Sequence, residues 1–254
     1  MKPNIAIACQ DISVCFDEYV ALNHVFLDVP EGQTIALIGP NGAGKTTLLN
    51  ALSGRVPLAS GSVLMQGADV TKLPIHLRVK QGLGRSFQII NIFQEMTTLE
   101  NLRLAAQPMA FSNQPFWRQV SAWPELENKA REVANMVGLD DVLNAPVSSL
   151  SHGRQRAVEL GLALMSDPKV LLLDEPLAGV GQAEIKTTVD VIERVRKGRT
   201  VLLVEHNMDV VMRLADEIVV MISGEILMRG TAAEVQNDQR VRQAYLGETE
   251  VVHA

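Results

Sequence analysis

The sequence predicts an α/β fold: a mostly parallel sheet with an antiparallel β portion and a helical insert. Three observations carry that prediction. Short apolar runs recur along the 254 residues, several without polar alternation, as strands covered by helices on both faces require. Helical periodicities lie between those runs, so strand and helix alternate in the manner of βαβ units. Residues 97–165 differ, with helical patterns and no convincing strand.

The strand-like runs are ISVCF (12–16), HVFLDV (24–29), TIALIG (34–39), SVLM (62–65), KVLLLD (169–174), TVLLVE (200–205) and EIVVMI (217–222). Two longer stretches, HVFLDVPEGQTIALI and EIVVMISGEILM, read as antiparallel hairpins. In 183–197 Ile185, Val189, Ile192 and Val195 recur at helical spacing, and a glycine then stops the pattern. The helical region opens with a capping box, Thr97-x-x-Glu100. Within it, 108–124 holds three prolines and two tryptophans and reads as a loop or irregular excursion. The expected organisation is one domain over 1–254, with the insert at approximately 89–165.

Composition narrows the class. A hydrophobic share of 47% supplies a sizeable core, and a formal charge of −6 argues against nucleic acid as the main partner. Cys9 and Cys15 are too few for a disulfide framework. Six positions apart, they are expected on one side of an early strand, as buried thiols in a reducing compartment. The N-terminus has no signal-peptide pattern. The longest apolar runs, VLLL and IVVMI, fall far short of the roughly 20 residues that cross a bilayer, so a soluble, cytosolic chain is expected.

The strongest chemical signal is GPNGAGKTT: Gly39, Pro40, Asn41, Gly42, Ala43, Gly44, Lys45, Thr46 and Thr47. It matches G-x-x-x-x-G-K-[ST] between a strand and a helical pattern that begins at Lys45. Its glycines let backbone N–H groups wrap phosphate oxygens at a helix N-terminus. Lys45 would reach the β- and γ-phosphates, and the Thr46 hydroxyl would ligate Mg²⁺. A Gly-rich turn with a surface lysine is the plainer alternative, and the flanking strand and helix weigh against it. In KVLLLDEP a buried strand delivers Asp174 and Glu175 at its C-terminal end, where α/β sheets bind ligands. Asp174 is placed to hold the metal and Glu175 to polarise an attacking water. LSHGRQR (150–156) is read two ways, as a helix start that holds an anion or as a plain Ser151 cap.

GPNGAGKTT, LSHGRQR, VLLLDEP and VEH (204–206), in this order, resemble the ATP-binding subunit of an ABC transporter over the whole chain. The implied fold is a P-loop NTPase (RecA-like), and the implied activity is ATP hydrolysis with ATP and Mg²⁺ between two closing domains. Gln88 of GRSFQ resembles the family's Q-loop residue, offering its amide oxygen to metal or water. His206 resembles the switch histidine, orienting Glu175 and the water. Phe16 resembles the aromatic that stacks on adenine, with Tyr19 as second choice and core packing as the alternative for Phe16. Ser151 and Gly153 are the positions expected to meet the γ-phosphate held by the other subunit.

GRSFQIINIFQEMTTLENL, LLDEPLAGV, VEHNMDVV and AYLGE look like the branched-chain amino-acid and urea/amide uptake branch, leaning to the former. The implied partners are a second ATP-binding subunit, identical or paralogous, and integral-membrane permease subunits. A solute-binding protein acts indirectly, and the chain is peripheral on the cytoplasmic face of the membrane. Two departures stand out: His152-Gly153-Arg154 where the signature usually has Gly-Gly-Gln, and Gly181 where the wider family carries Asp. A P-loop kinase would give LSHGRQR no role. An ABC protein of DNA repair or translation would need a long coiled coil or a duplicated cassette.

Overall fold

The computed structural model describes residues 4–86, 92–110 and 124–246. Its strands are β1 (Ile5–Phe16), β2 (Tyr19–Pro30), β3 (Thr34–Ile38), β4 (Ser60–Met65), β5 (Ala68–Asp69), β6 (Leu83–Arg85), β7 (Val170–Asp174), β8 (Thr200–Val204), β9 (Glu217–Ile222) and β10 (Glu225–Gly230). Its helices are α1 (Lys45–Ser53), α2 (Ile75–Lys80), α3 (Thr98–Ala110), α4 (Pro124–Val137), α5 (His152–Leu164), α6 (Gln182–Val195), α7 (Met208–Leu214), α8 (Ala232–Asn237) and α9 (Gln239–Leu246).

Among the described residues the strands form two sheets. One runs β10-β9-β3-β8-β7-β6 and is parallel except for its edge pair β9–β10. The other is antiparallel, β2-β1-β4-β5. The central strands explain their own lack of alternation. Along β7, Val170 and Leu172 enter the core shared with the antiparallel sheet and α1, while Leu171 and Leu173 enter the core built with α3 to α6. β8 divides likewise, Leu202 and Val204 one way, Val201 and Leu203 the other. The period of two is intact, but both faces are dry.

The helical expectation for 183–197 matches α6. Val189, Ile192 and Val195 are buried, Ile185 packs against the same core, and Gly198 follows in the left-handed region at φ 74°. The capping box forms at the start of α3. Glu100 N–H donates to Thr97 Oγ1 at 3.2 Å, and Glu100 Oε2 accepts the Thr97 N–H at 2.8 Å. α3 runs to Ala110, past Pro108, so 108–110 is helical rather than irregular; 111–123 lie outside the described residues. Pro124 opens α4, at the position where a missing N–H costs no helical bond.

Two further expectations fail. HVFLDVPEGQTIALI is not a hairpin, although EIVVMISGEILM is one, as β9–β10. β2 pairs with β1, and the turn at Gly32 (φ 75°) sends β3 into the other sheet. β3 is apolar on both faces and is buried only at the centre of the parallel sheet, whereas a hairpin with β2 would leave one face wet. The second failure concerns the cysteines. β1 is longer than ISVCF and carries register shifts, one between Cys9 and Ile12 beside Asp11 at φ 54°. Such irregularities upset the even-spacing rule, so Cys9 is buried and Cys15 exposed.

Candidate functional site

Three parallel strands, β3, β8 and β7, end side by side, and each delivers a loop to the same edge. After β3 the chain turns through Gly39 to Gly44 into α1. Gly39 sits at φ 150°, and a Cβ there would lie 2.1 Å from the Met221 carbonyl oxygen of β9. Gly44 is the N-cap of α1 at φ 98°, where a Cβ would lie 2.9 Å from the Ala21 carbonyl oxygen of β2. Only glycine lets this loop lie so close to both sheets. Lys45 is 6% exposed, and its ammonium folds back over the loop, donating to the Gly39 and Pro40 carbonyls at 2.6 and 2.7 Å.

The β7 end carries the two carboxylates, each with its own partners. Asp174 is buried, and its Oδ1 accepts the Thr46 hydroxyl at 3.3 Å. Its Oδ2 meets the Arg85 guanidinium at 3.3 Å. Burial pushes the Asp174 carboxyl up from its ordinary value, and the Arg85 charge opposes that shift. Arg85, on β6, also donates to Ser53 Oγ at 2.6 Å, and its own burial lowers its pKa.

Glu175 leaves the strand at φ 49°, a conformation that a non-glycine residue holds only where its surroundings enforce it. Its N–H donates to the Val204 carbonyl at 3.0 Å, which ties the turn to β8. His206, from the β8 end, places Nε2 at 2.7 Å from Glu175 Oε1. A cavity of about 320 Å³ joins Glu175 to Asn41–Thr47 and is bordered by Phe16, Tyr19 and Ala21. Phe16 is 48% exposed, so it is an open wall of this cavity rather than a core residue. Tyr19 lines the same wall.

Oxygen donors at Thr46 and Asp174 suit a hard cation that takes its remaining ligands from phosphate and water. No cluster of three or more His, Cys, Asp or Glu able to hold a metal exists among the described residues. Gln88 lies outside the described residues.

Ser151 and Gly153 do not line that cavity. Ser151 is the N-cap of α5, accepting the Arg154 N–H at 3.5 Å, and its hydroxyl donates to Glu184 Oε1 of α6 at 2.5 Å. A Cβ on Gly153 would lie 3.0 Å from the same carboxyl group. Of the residues that depart from the usual signature, Arg154 pairs with Asp141 at 2.9 Å. Gly181 is the N-cap of α6 and makes no side-chain cap.

Three residues of this neighbourhood are missing from the sequence reading: Arg85, Glu184 and Glu205. Arg85 stands within GRSFQ, three residues before Gln88, and Glu205 within VEH, next to His206. A lone charge at a strand end adjoining such a motif is the signal that could have found them. Nothing in the pattern of α6 marks Glu184.

The profile of the ABC transporter family matches residues 22–178, and that of the branched-chain amino acid ATP-binding cassette transporter matches 225–251. The chain belongs to the ABC transporter family, as one of its ATP-hydrolysing cassettes. Within that family it is similar to a probable branched-chain amino acid transport ATP-binding protein, LivG, of Archaeoglobus fulgidus, 34% identical over 94% of each chain. It is also similar to the high-affinity branched-chain amino acid transport ATP-binding protein BraF of Pseudomonas aeruginosa, 35% identical over 93% of this chain and 96% of that one. Among solved structures, a nucleotide-free ATP-binding cassette from an ABC transporter matches with TM-score 0.84 and 28% identity, covering 95% and 98% of the two chains. An ADP-conformation cassette matches with TM-score 0.83 and 29% identity, covering 96% and 99%.

Proposed function

We propose that this cassette hydrolyses Mg²⁺-ATP between two paired subunits and thereby energises the import of branched-chain amino acids. The observation that carries the reading is the 2.7 Å contact of His206 with Glu175 on the wall of the cavity that the glycine-rich loop encloses. A general base needs a carboxylate held in one orientation within reach of the bound phosphate, and the histidine supplies that hold. Lys45 exchanges the Gly39 and Pro40 carbonyls for the β- and γ-phosphates. Thr46, Asp174 and Gln88 hold Mg²⁺, which when bound neutralises charge developing on the phosphates. Glu175 takes the proton of the attacking water while His206 keeps it aimed. Phe16 or Tyr19 stacks on the adenine.

Ser151 and Gly153 offer the α5 N-terminus to the nucleotide of the paired subunit, with the Glu184 carboxylate leaving as the phosphate arrives. No described helix is long and apolar enough to cross a membrane, which supports separate permease subunits as the path for the solute. The helical insert, 89–165, is the proposed docking region, and a solute-binding protein delivers the substrate to the permeases at the outer face. That arrangement puts this chain on the cytoplasmic face of the membrane.

The substrate class rests on the names of the relatives and the match at 225–251. Proteoliposomes holding the assembled transporter with ATP inside should accumulate labelled leucine and not labelled urea. The same vesicles built with Glu175→Gln should bind ATP and turn it over roughly 10²–10⁴-fold more slowly. Urea uptake without leucine uptake would move the chain to the other branch. Wild-type turnover by Glu175→Gln would remove Glu175 as the base.

A further inference from the structure

Glu205 is the last acidic residue before His206 and is 4% exposed. A carboxylate that deep is costly unless its oxygens are met by donors. Its Oε1 accepts the Leu177 N–H at 3.1 Å. Its Oε2 accepts the His206 N–H at 3.0 Å and the Asn207 N–H at 3.4 Å. Leu177 lies two residues beyond Glu175 on the loop after β7, and His206 and Asn207 lie on the loop after β8. One carboxylate therefore spans the two loops that carry the proposed base and its partner. The bonds form a ring: Glu175 to His206 through their side chains, His206 backbone to Glu205, and Glu205 to Leu177, two residues along the chain from Glu175.

We propose that Glu205 is a positioning residue for the Glu175–His206 pair, holding the imidazole against the catalytic carboxylate by fixing the spacing of the two loops. The proposal rests on the reading of that pair given above. Glu205 does not line the nucleotide cavity, so it acts through His206 and not on ATP. Two oxygens are the minimum that serves both loops at once. An amide in its place keeps one acceptor and turns its N–H₂ toward backbone N–H groups, so one loop is released. Asn207 adds to the need for a fixed loop, because its own side chain caps α7 by accepting the Val210 N–H at 3.3 Å.

The test is a double-mutant cycle on the full chain: Glu205→Gln, His206→Ala and the two together, with single-turnover ATP hydrolysis and the KM for ATP as readouts. Glu205→Gln should lower kcat by roughly 10- to 100-fold, the scale of a small misplacement of a catalytic group, with KM unchanged. Added to His206→Ala, it should cost nothing further, because the group it positions is gone. Losses that multiply, or a KM that rises in place of the fall in kcat, would assign Glu205 a general structural role and overturn the proposal. If Glu205→Gln does not fold, Glu205→Asp keeps the charge on a shorter arm and enters the same cycle with the same two outcomes. A wild-type rate in His206→Ala alone sinks the reading of the pair and the proposal with it. A normal deficit there with independent losses sinks the proposal only.

Discussion

At the scale of single residues, Lys45 has two employments. Its ammonium is buried against the carbonyls that shape the glycine-rich loop, and in the proposed function the phosphates take it over. Lys45→Ala should therefore damage the protein before any nucleotide is added. Removing one charged donor from two carbonyls costs about 1.5–3 kcal/mol, and a chain of this size loses about 2–4 °C of Tm per kcal/mol. Calorimetry of the apo protein should register that drop, and titration with ATP should register the loss of affinity. Full ATP affinity in the variant would remove Lys45 from the phosphate site. The gathering of Lys45, Thr46, Asp174, Glu175 and His206 at one edge of the sheet was legible in the sequence, because each is a reactive group at a strand or loop end with a local motif around it. Arg85, Glu184 and Glu205 were not, because what each one does depends on a partner brought by another segment: Asp174 from 89 residues away, Ser151 from 33, Leu177 from 28. No local spacing encodes those meetings.

At the scale of elements, the capping box before α3 is the most local device in the chain, and it was read correctly for that reason. Thr97→Ala should cost about 1 kcal/mol, as loss of an N-cap does. Its pH dependence has a definite sign. The Thr97 backbone N–H and hydroxyl hold the Glu100 carboxyl below its ordinary value, so this contribution is full above the unfolded value and fades as pH falls through the folded one. Urea unfolding should find the wild-type advantage at neutral pH shrinking in acid; an advantage that grows in acid would contradict the assignment. The long apolar strands β3, β7, β8 and β9 were equally legible. β5 and β6 were not, with two and three residues and no pattern long enough to read. The mistaken hairpin has the same origin: an apolar strand beside a turn is compatible with either sheet, and only the demand to bury both faces of β3 decides.

At the scale of the whole molecule, the cradle at 39–47 and the α5 start at Ser151 do not share a cavity within one chain. In the pairing proposed above, each cradle would meet the α5 of the other chain. Chains bearing Lys45→Ala and chains bearing Ser151→Arg should each be inactive alone. Mixed, they should recover ATPase activity, since one site then has both defects and the other has neither. A dead mixture, with mixed pairs demonstrated and one intact site proven sufficient, would return Ser151 to the role of a helix cap held by Glu184. The irregular β1 has a further use. Cys15 is exposed and does not line the nucleotide cavity, whereas Cys9 is 1% exposed with its thiol pushed up to about 12 by burial. Cys9 is buried beside Leu27, Val219 and Ile226 between the two sheets, so a reagent reaches it only when the packing there opens. A disulfide-exchange reagent should thus titrate Cys15 within mixing and Cys9 at the rate of that opening. ATP should slow Cys9 by mass action on the closed state and leave Cys15 unchanged as the internal reference. A Cys9 rate unchanged by ATP would mean that the sheet carrying Cys9 opens independently of the nucleotide site.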